Sequence, residues 1–142
     1  MRNIIFAPIT GDIVIYLRNN LPDAERDYTT AVLVRAQLPS ASSYQERMVS
    51  VRDDGGRDEG PLSRRSISVN VWAESRGTAD LLSQYLIALL RSMPNGSPIV
   101  WTETFSGPFE VIDQNTGKID IDDVTLSQYF FTFEALQRGE NL

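Results

Sequence analysis

A chain of 142 residues, 42% of them hydrophobic, has the size of one ordinary domain and enough apolar material for one core, so residues 1–142 are read as a single domain. Thirteen basic residues against nineteen acidic ones leave a net charge of −6, which repels polyanions and argues against groove-type binding of DNA or RNA. Cysteine and histidine are both absent, which removes disulfides, thiolate chemistry, Cys/His zinc sites and every catalytic triad built on imidazole, so a non-enzymatic role without cofactor or metal is expected.

The N-terminal stretch MRNIIFAPITGD is interrupted by Pro8 and Asp12, unlike a signal peptide, and no apolar run approaches the roughly 20 residues of a bilayer span. A soluble protein made in a cytosol, with no membrane partner, is the expectation. After Pro8, Thr10 is placed to cap a helix in which Asp12 suits the first turn and Ile13, Leu17 and Leu21 share a face, before Pro22 ends it. Its only cation is Arg18, so it reads as a core-packing helix rather than a membrane-surface one. The stretch TTAVLVRAQLP alternates Thr30, Val32 and Val34 against Ala31, Leu33 and Arg35, a strand closed by Pro39 and followed by the serine-rich turn SASS. ERMVSVR reads as a second strand ending at DDGG. A long charged loop, Asp53 to Arg64, then leads to SISVNVWA, where Ile67, Val69, Val71 and Ala73 oppose Ser68, Asn70 and Trp72.

Ser75 or Thr78 can cap a second helix running to about Met93 and stopped by Pro94–Asn95–Gly96. Ala79, Leu82, Leu86, Leu89 and Met93 form one apolar stripe, and Leu81, Tyr85 and Ala88 an adjoining one. Two stripes make a wide face, which either this chain's own core or a neighbouring subunit can cover. SPIVWTETF, PFEVI and VTLSQYFFTFEAL supply three more strands, the last with Tyr129, Phe131 and Phe133 on one side. The elements describe an α+β domain: an antiparallel or mixed sheet of about five or more strands, with two main helices packed on one face.

Two segments invite a chemical reading. DQNTGKIDIDD, Asp113 to Asp123, nearly matches a calcium loop, but it is one residue short, lacks the fifth-position ligand and the terminal glutamate, and has strands rather than helices on either side. A turn between strands at Asn115 to Gly117 fits it better. DDGGRDEGPLSRR has phosphate-loop glycines (Gly55, Gly56, Gly60) but leads into a strand, not a helix N-terminus. Asp58 and Glu59, adjacent on such a loop, lack the burial that separates an acid from a base. The balance of Asp53, Asp54, Asp58 and Glu59 against Arg57, Arg64 and Arg65 suits polar docking on another protein surface. Trp72 lies on the face of its strand expected to be wet; a subunit contact and local packing are equally open to it.

The succession YLRNNLPDA, AVLVRAQLP, VSVRDDGG, SRRSISVNVWAES and TADLLSQYLIALLRSM resembles the tail terminator proteins of long flexible-tailed bacteriophages, especially those of actinobacteria. The likeness spans roughly residues 9–94 and rests on order and spacing, sharpest at VRDDGG, SVNVWAES and the Ala79-Asp80-Leu81-Leu82 helix start. The chain departs from the pattern in the charged insertion after Gly56 and the serine run after Pro39. The resemblance implies a structural virion protein of the tail and neck, assembled in the host cytoplasm. In that family a homohexameric ring binds the end of the tail tube protein, stops further polymerisation and offers a joining surface to the head-to-tail connector or stopper, while genomic DNA passes through the lumen without specific binding. Another neck protein, a connector or stopper itself, is the alternative. The residues expected at protein interfaces are Asp53, Asp54, Arg57, Asp58, Glu59, Arg64 and Arg65 of the loop, Trp72 of the following strand and Tyr85 of the second helix.

Overall fold

A computed structural model describes residues 4–22, 26–93, 99–112, 119–121 and 124–141. In chain order it comprises β1 (Ile4–Ile5), α1 (Ile9–Asn20), β2 (Leu33–Arg35), β3 (Met48–Glu59), β4 (Leu62–Ala73), α2 (Arg76–Arg91), β5 (Ile99–Glu110), β6 (Asp120–Ile121), β7 (Val124–Thr125), β8 (Ser127–Arg138) and β9 (Glu140–Asn141). The main sheet has the order β2-β3-β4-β8-β5, with β2 parallel to β3 and every other pair antiparallel. β1 pairs with β9 and β6 with β7 in two small ribbons. The fold is the expected α+β arrangement: both helices pack side by side on one face of a mixed sheet, α1 over β2 and β3, α2 over β4, β8 and β5.

Alternation in β4 drives this layering. Val69 and Val71 pair with Val51 and Val49 on β3, and Ile67 and Val69 with Phe133 and Phe131 on β8, so one face of three strands is apolar up to Asp53, which opposes Ile67 at its hairpin end. Against it lie Ile9, Ile13, Val14 and Leu17 of α1 and Leu82, Leu86, Ile87 and Leu90 of α2, forming one core. α1 begins at Ile9 with Pro8 at the cap position and no side-chain cap, two residues before the Thr10 cap expected from sequence. Burial of Ile9 against the sheet draws it into the helix, so Thr10 lies inside the first turn. α2 starts as expected, with the Ser75 hydroxyl accepting from the Thr78 amide at 3.2 Å. Of its two apolar stripes, the first is in the core while Leu81 and Ala88 of the second are exposed.

Three expectations about strands are corrected. The strand expected from Thr30 shrinks to Leu33–Arg35, because Ala31 takes a left-handed conformation (φ 53°) that ends any extended run before it. The two strands expected around residues 99–112 are one, β5, which follows β8 through three irregularities in register, including the left-handed Thr104 (φ 57°). The long loop expected from Asp53 to Arg64 is the distal half of the β3–β4 hairpin, with only Gly60 and Pro61 between the strands. No apolar alternation marks this half; cross-strand ion pairs and the β8 ladder beyond β4 hold it extended.

A bulge between Asp53 and Gly55 reshapes the hairpin. Asp53 opposes Ile67 on the helix-covered face, yet Gly55 opposes Ser66 on the other, so the facing of every later β3 residue is inverted. Gly55 supplies the required positive φ of 104°. At the next position, a Cβ on Gly56 would overlap the backbone carbonyl of Arg64. Gly56→Ala should therefore lower stability by about 1–3 kcal/mol, the usual cost of forced overpacking. Chemical denaturation checks this, and an unchanged midpoint would refute the assigned register.

On the opposite face, Met48, Trp72, Ile119 and Leu126 form a second, smaller core with Leu33, Leu38, Tyr44 and Ile121 around it. The segment carrying Ile119 and Leu126 closes on itself through a 2.8 Å bond from the Leu126 amide to the Ile119 carbonyl. Arg47 ties the start of β3 to the end of β4. Its Nη2 lies 2.7 Å from Glu74 Oε1, and Nη1 reaches the carbonyls of Asp27 and Thr30. Hydrogen bonding from Arg47 holds the Glu74 carboxyl below the usual carboxylate range against the opposing effect of burial. Since the folded value is the lower one, this contribution is complete above the ordinary carboxylate range and disappears as pH falls through the lowered folded value. Denaturation at a series of pH values should show Glu74→Gln flattening that acid limb; an identical slope would contradict the assignment.

Candidate assembly surface

Neither helix covers the second face of β3, β4, β8 and β5, and beyond the small core its side chains meet solvent. Rows of cross-strand neighbours build it. At one end Trp101 opposes Leu136, which opposes Arg64; at the other Phe109 opposes Phe130, which opposes Asn70. Trp101 is 56% exposed and Phe109 46%, and the Phe109 and Phe130 rings lie 5.3 Å apart. Between them Glu103 opposes Glu134, like charges that would repel but for a cation in reach. Arg64 supplies it. Its Nη1 bonds both Glu103 and Glu134, the latter at 3.3 Å, and its Nε lies 3.4 Å from Glu59. Arg57 adds a 3.0 Å contact to Glu59, and the Thr104 hydroxyl bonds Glu134. The Glu103 hydrogen bond strengthens proton retention on the Arg64 guanidinium.

Farther along, Asp54 accepts from Ser68 and from Arg52. Burial works to raise the Asp54 carboxyl, but these two donors overcome it and hold the group below its ordinary value. Exposed ion pairs of this kind add little stability singly; joined in a network, they fix side chains in place on the sheet.

The interface residues expected from sequence separate into three groups. Asp54, Arg57, Glu59 and Arg64 lie together on the open face, whereas Asp53, Asp58 and Arg65 line the other face, where Arg65 Nη2 meets Asp53 Oδ2 at 3.0 Å. The bulge makes that division. Trp72 is 7% exposed and packs within its own chain, clustered with Met48, Ile119 and Leu126 rather than beneath a helix. Tyr85 is half-buried on α2, edge-on to Tyr28 at 6.2 Å and beneath the Arg26 guanidinium at 5.8 Å, so it is engaged within its own chain. The residues expected at interfaces from sequence did not include Trp101, Glu103, Phe109 or Glu134. The tryptophan and glutamates do alternate in VWTETF, a pattern consistent with one solvent-facing side.

The calcium-like stretch 113–123 lies outside the described residues except for Ile119–Ile121, as does the expected helix stop at residues 94–96. Among the described residues no three His, Cys, Asp or Glu side chains converge as metal ligands, and no helix is long and apolar enough to cross a membrane. The β3 edge from residue 51 to 59 has no strand neighbour among the described residues, since β2 covers only Met48 to Ser50. No protein-family model matches the chain, and no curated protein matches it.

Proposed function

We propose that this protein is a ring-forming tail terminator: it caps the end of a phage tail tube, stops tube polymerisation and presents a joining surface to the head connector. The observation that carries the assembly part of this reading is the uncovered sheet face, with Trp101 and Phe109 exposed at either end of the Arg64 ion network. Exposed aromatic residues flanked by ordered charges are the composition of a protein-protein contact rather than of an inert surface. The motif order described above supports the terminator assignment, with the virion tail and neck as its location and tube protein and connector as partners. The mechanism is occupancy. A heterologous contact from one subunit's sheet edge to the next subunit's helix closes a ring, and a closed ring seated on the tube offers its far side no template for another tube subunit.

Loss of the protein from a producing phage should yield overlong, irregular tails in negative-stain images. Finished tails of normal length left unattached to heads would instead identify a connector or stopper. Purified chain should form rings detectable by light scattering, and a strict monomer with no affinity for tube ends would overturn the proposal.

A further inference from the structure

One arm of the β3–β4 hairpin forms an edge of the main sheet. β2 pairs with β3 only at Met48, Val49 and Ser50, so residues 51–59 of β3 have no strand neighbour among the described residues. The opposite edge is β5, whose register with β8 breaks three times and whose run includes the left-handed Thr104 and Pro108, a residue with no N–H to offer. A further strand is therefore accepted more readily at β3 than at β5.

The bulge gives this free arm an internal symmetry. Counted by its partners on β4, with Asp54 as the extra residue, Gly56 has Gly55 and Arg57 one row away, Asp53 and Asp58 two rows away, and Arg52 and Glu59 three rows away. Members of each pair share a face: Arg52 and Glu59 oppose Ser68 and Leu62 on the open side, Asp53 and Asp58 oppose Ile67 and Ser63 on the helix-covered side. In an unbroken strand Arg52 and Glu59 would face opposite ways; the bulge puts them on one side.

We infer that the free arm of β3 pairs antiparallel with the same arm of a second copy, about a two-fold axis through Gly56. In that register each Arg52 opposes Glu59 of the other copy, which makes two opposite-charge pairs, and the bulged Asp54 comes beside the other copy's Arg57. Asp53 opposes the other copy's Asp58, but it arrives paired with Arg65 at 3.0 Å, so a carboxylate meets an ion pair rather than a second bare charge. Gly56, on the axis, has no side chain to collide with its counterpart. The other copy's tip, Gly60 and Pro61, begins opposite Val51, where the β2 pairing at Ser50 has just ended, so arm and gap match in length.

Charges and bulges ordinarily guard an edge against pairing. Here they exclude the competing registers and leave this one matched. Sliding the copies by two rows, the smallest step that keeps each face, sets Arg52 against Arg57 in one direction and Arg57 against its own counterpart in the other. The inference does not rest on the terminator reading, because β5, Trp101, Phe109 and α2 stay uncovered and a ring contact is neither required nor blocked.

The test uses the full-length chain, which has no native cysteine. Oxidation of Arg52→Cys/Glu59→Cys should give a covalent dimer and no longer ladder, because both new bonds join the same two chains. Neither single-cysteine variant should cross-link, since equivalent residues lie six rows, about 20 Å, apart along the strands. Sedimentation equilibrium, in a Trp101→Ala/Phe109→Ala background that removes the open-face contact, should show a dimer weakened about tenfold by Arg52→Glu or by Glu59→Arg, each reversal acting twice by symmetry. Combining the two reversals should restore the affinity to within about threefold, a recovery that misfolding cannot mimic. No covalent dimer, a ladder beyond the dimer, or no recovery in the combined reversal would each overturn the inference. Rings without the covalent dimer would remove this contact and spare the terminator reading; a covalent dimer from a chain that forms no rings would do the reverse.

Discussion

Phe131→Ala should reduce the unfolding free energy by about 3–5 kcal/mol, the range for truncating a fully buried phenylalanine. Phe131 is 0% exposed on β8, which lies between β4 and β5, and it opposes Val69 across the β4 ladder. Its ring lies 6.4 Å from that of Phe133, which stacks on Phe105 at 5.0 Å. Removing Phe131 would leave a cavity where the sheet meets the helices, walled by residues of several elements that cannot all move inward. Urea denaturation should show a lower midpoint with an unchanged slope. A loss below about 1 kcal/mol would mean that the core collapses around the gap or that the packing is assigned wrongly. Phe130→Ala, one residue away on the half-buried face, serves as the control and should cost distinctly less.

The second large effect concerns assembly. Replacing Trp101 and Phe109 together by alanine should abolish ring formation while leaving the isolated subunit folded. Both side chains are about half exposed in the single chain, so little core packing is lost. Aromatic anchors at interface centres each contribute at least about 2 kcal/mol when truncated, and a pair weakens each contact by about a thousandfold when the effects add. Light scattering reads the ring, and circular dichroism with denaturation reads the fold. Intact rings from the double variant would remove the open face from the assembly contact and shift attention to the exposed side of α2, where Leu81 is 48% exposed. Loss of folding in the variant would refute the description of these two residues as surface anchors.

Much of the architecture was legible because core-facing periodicity is a direct imprint of burial. The Ile13/Leu17/Leu21 and Leu82/Leu86 spacings and the Ile67/Val69/Val71 alternation all mark residues that are buried. The hairpin's outer half was not legible for the same reason. Asp53 to Glu59 face water or other polar groups on both sides, so pairing with β4 sets their conformation and hydrophobic pattern leaves no trace. Trp72 misled in a related way. It lies on the polar side of its strand, and its cover comes from a segment more than forty residues downstream, a long-range contact that local alternation cannot report. The candidate surface was legible only in part: a charged stretch was visible, but its division between two faces, and the neighbours Glu103 and Glu134, follow from register.

That register carries a rule about length. With one extra residue opposite the Ile67–Ser66 step, Arg57 and Glu59 are sent to the solvent-facing layer and Asp58 to the helix-covered side. Deleting residue 54 alone would remove only the extra residue and keep the pairs from Gly55–Ser66 to Glu59–Leu62, so each side chain would keep its face while the local kink was lost. Removing two residues symmetrically from the tip, one on each strand, would preserve the sorting. A single deletion should therefore be tolerated at the bulge, whereas at the tip residues should be lost in pairs, one from each strand, a difference that a library of length variants would expose directly.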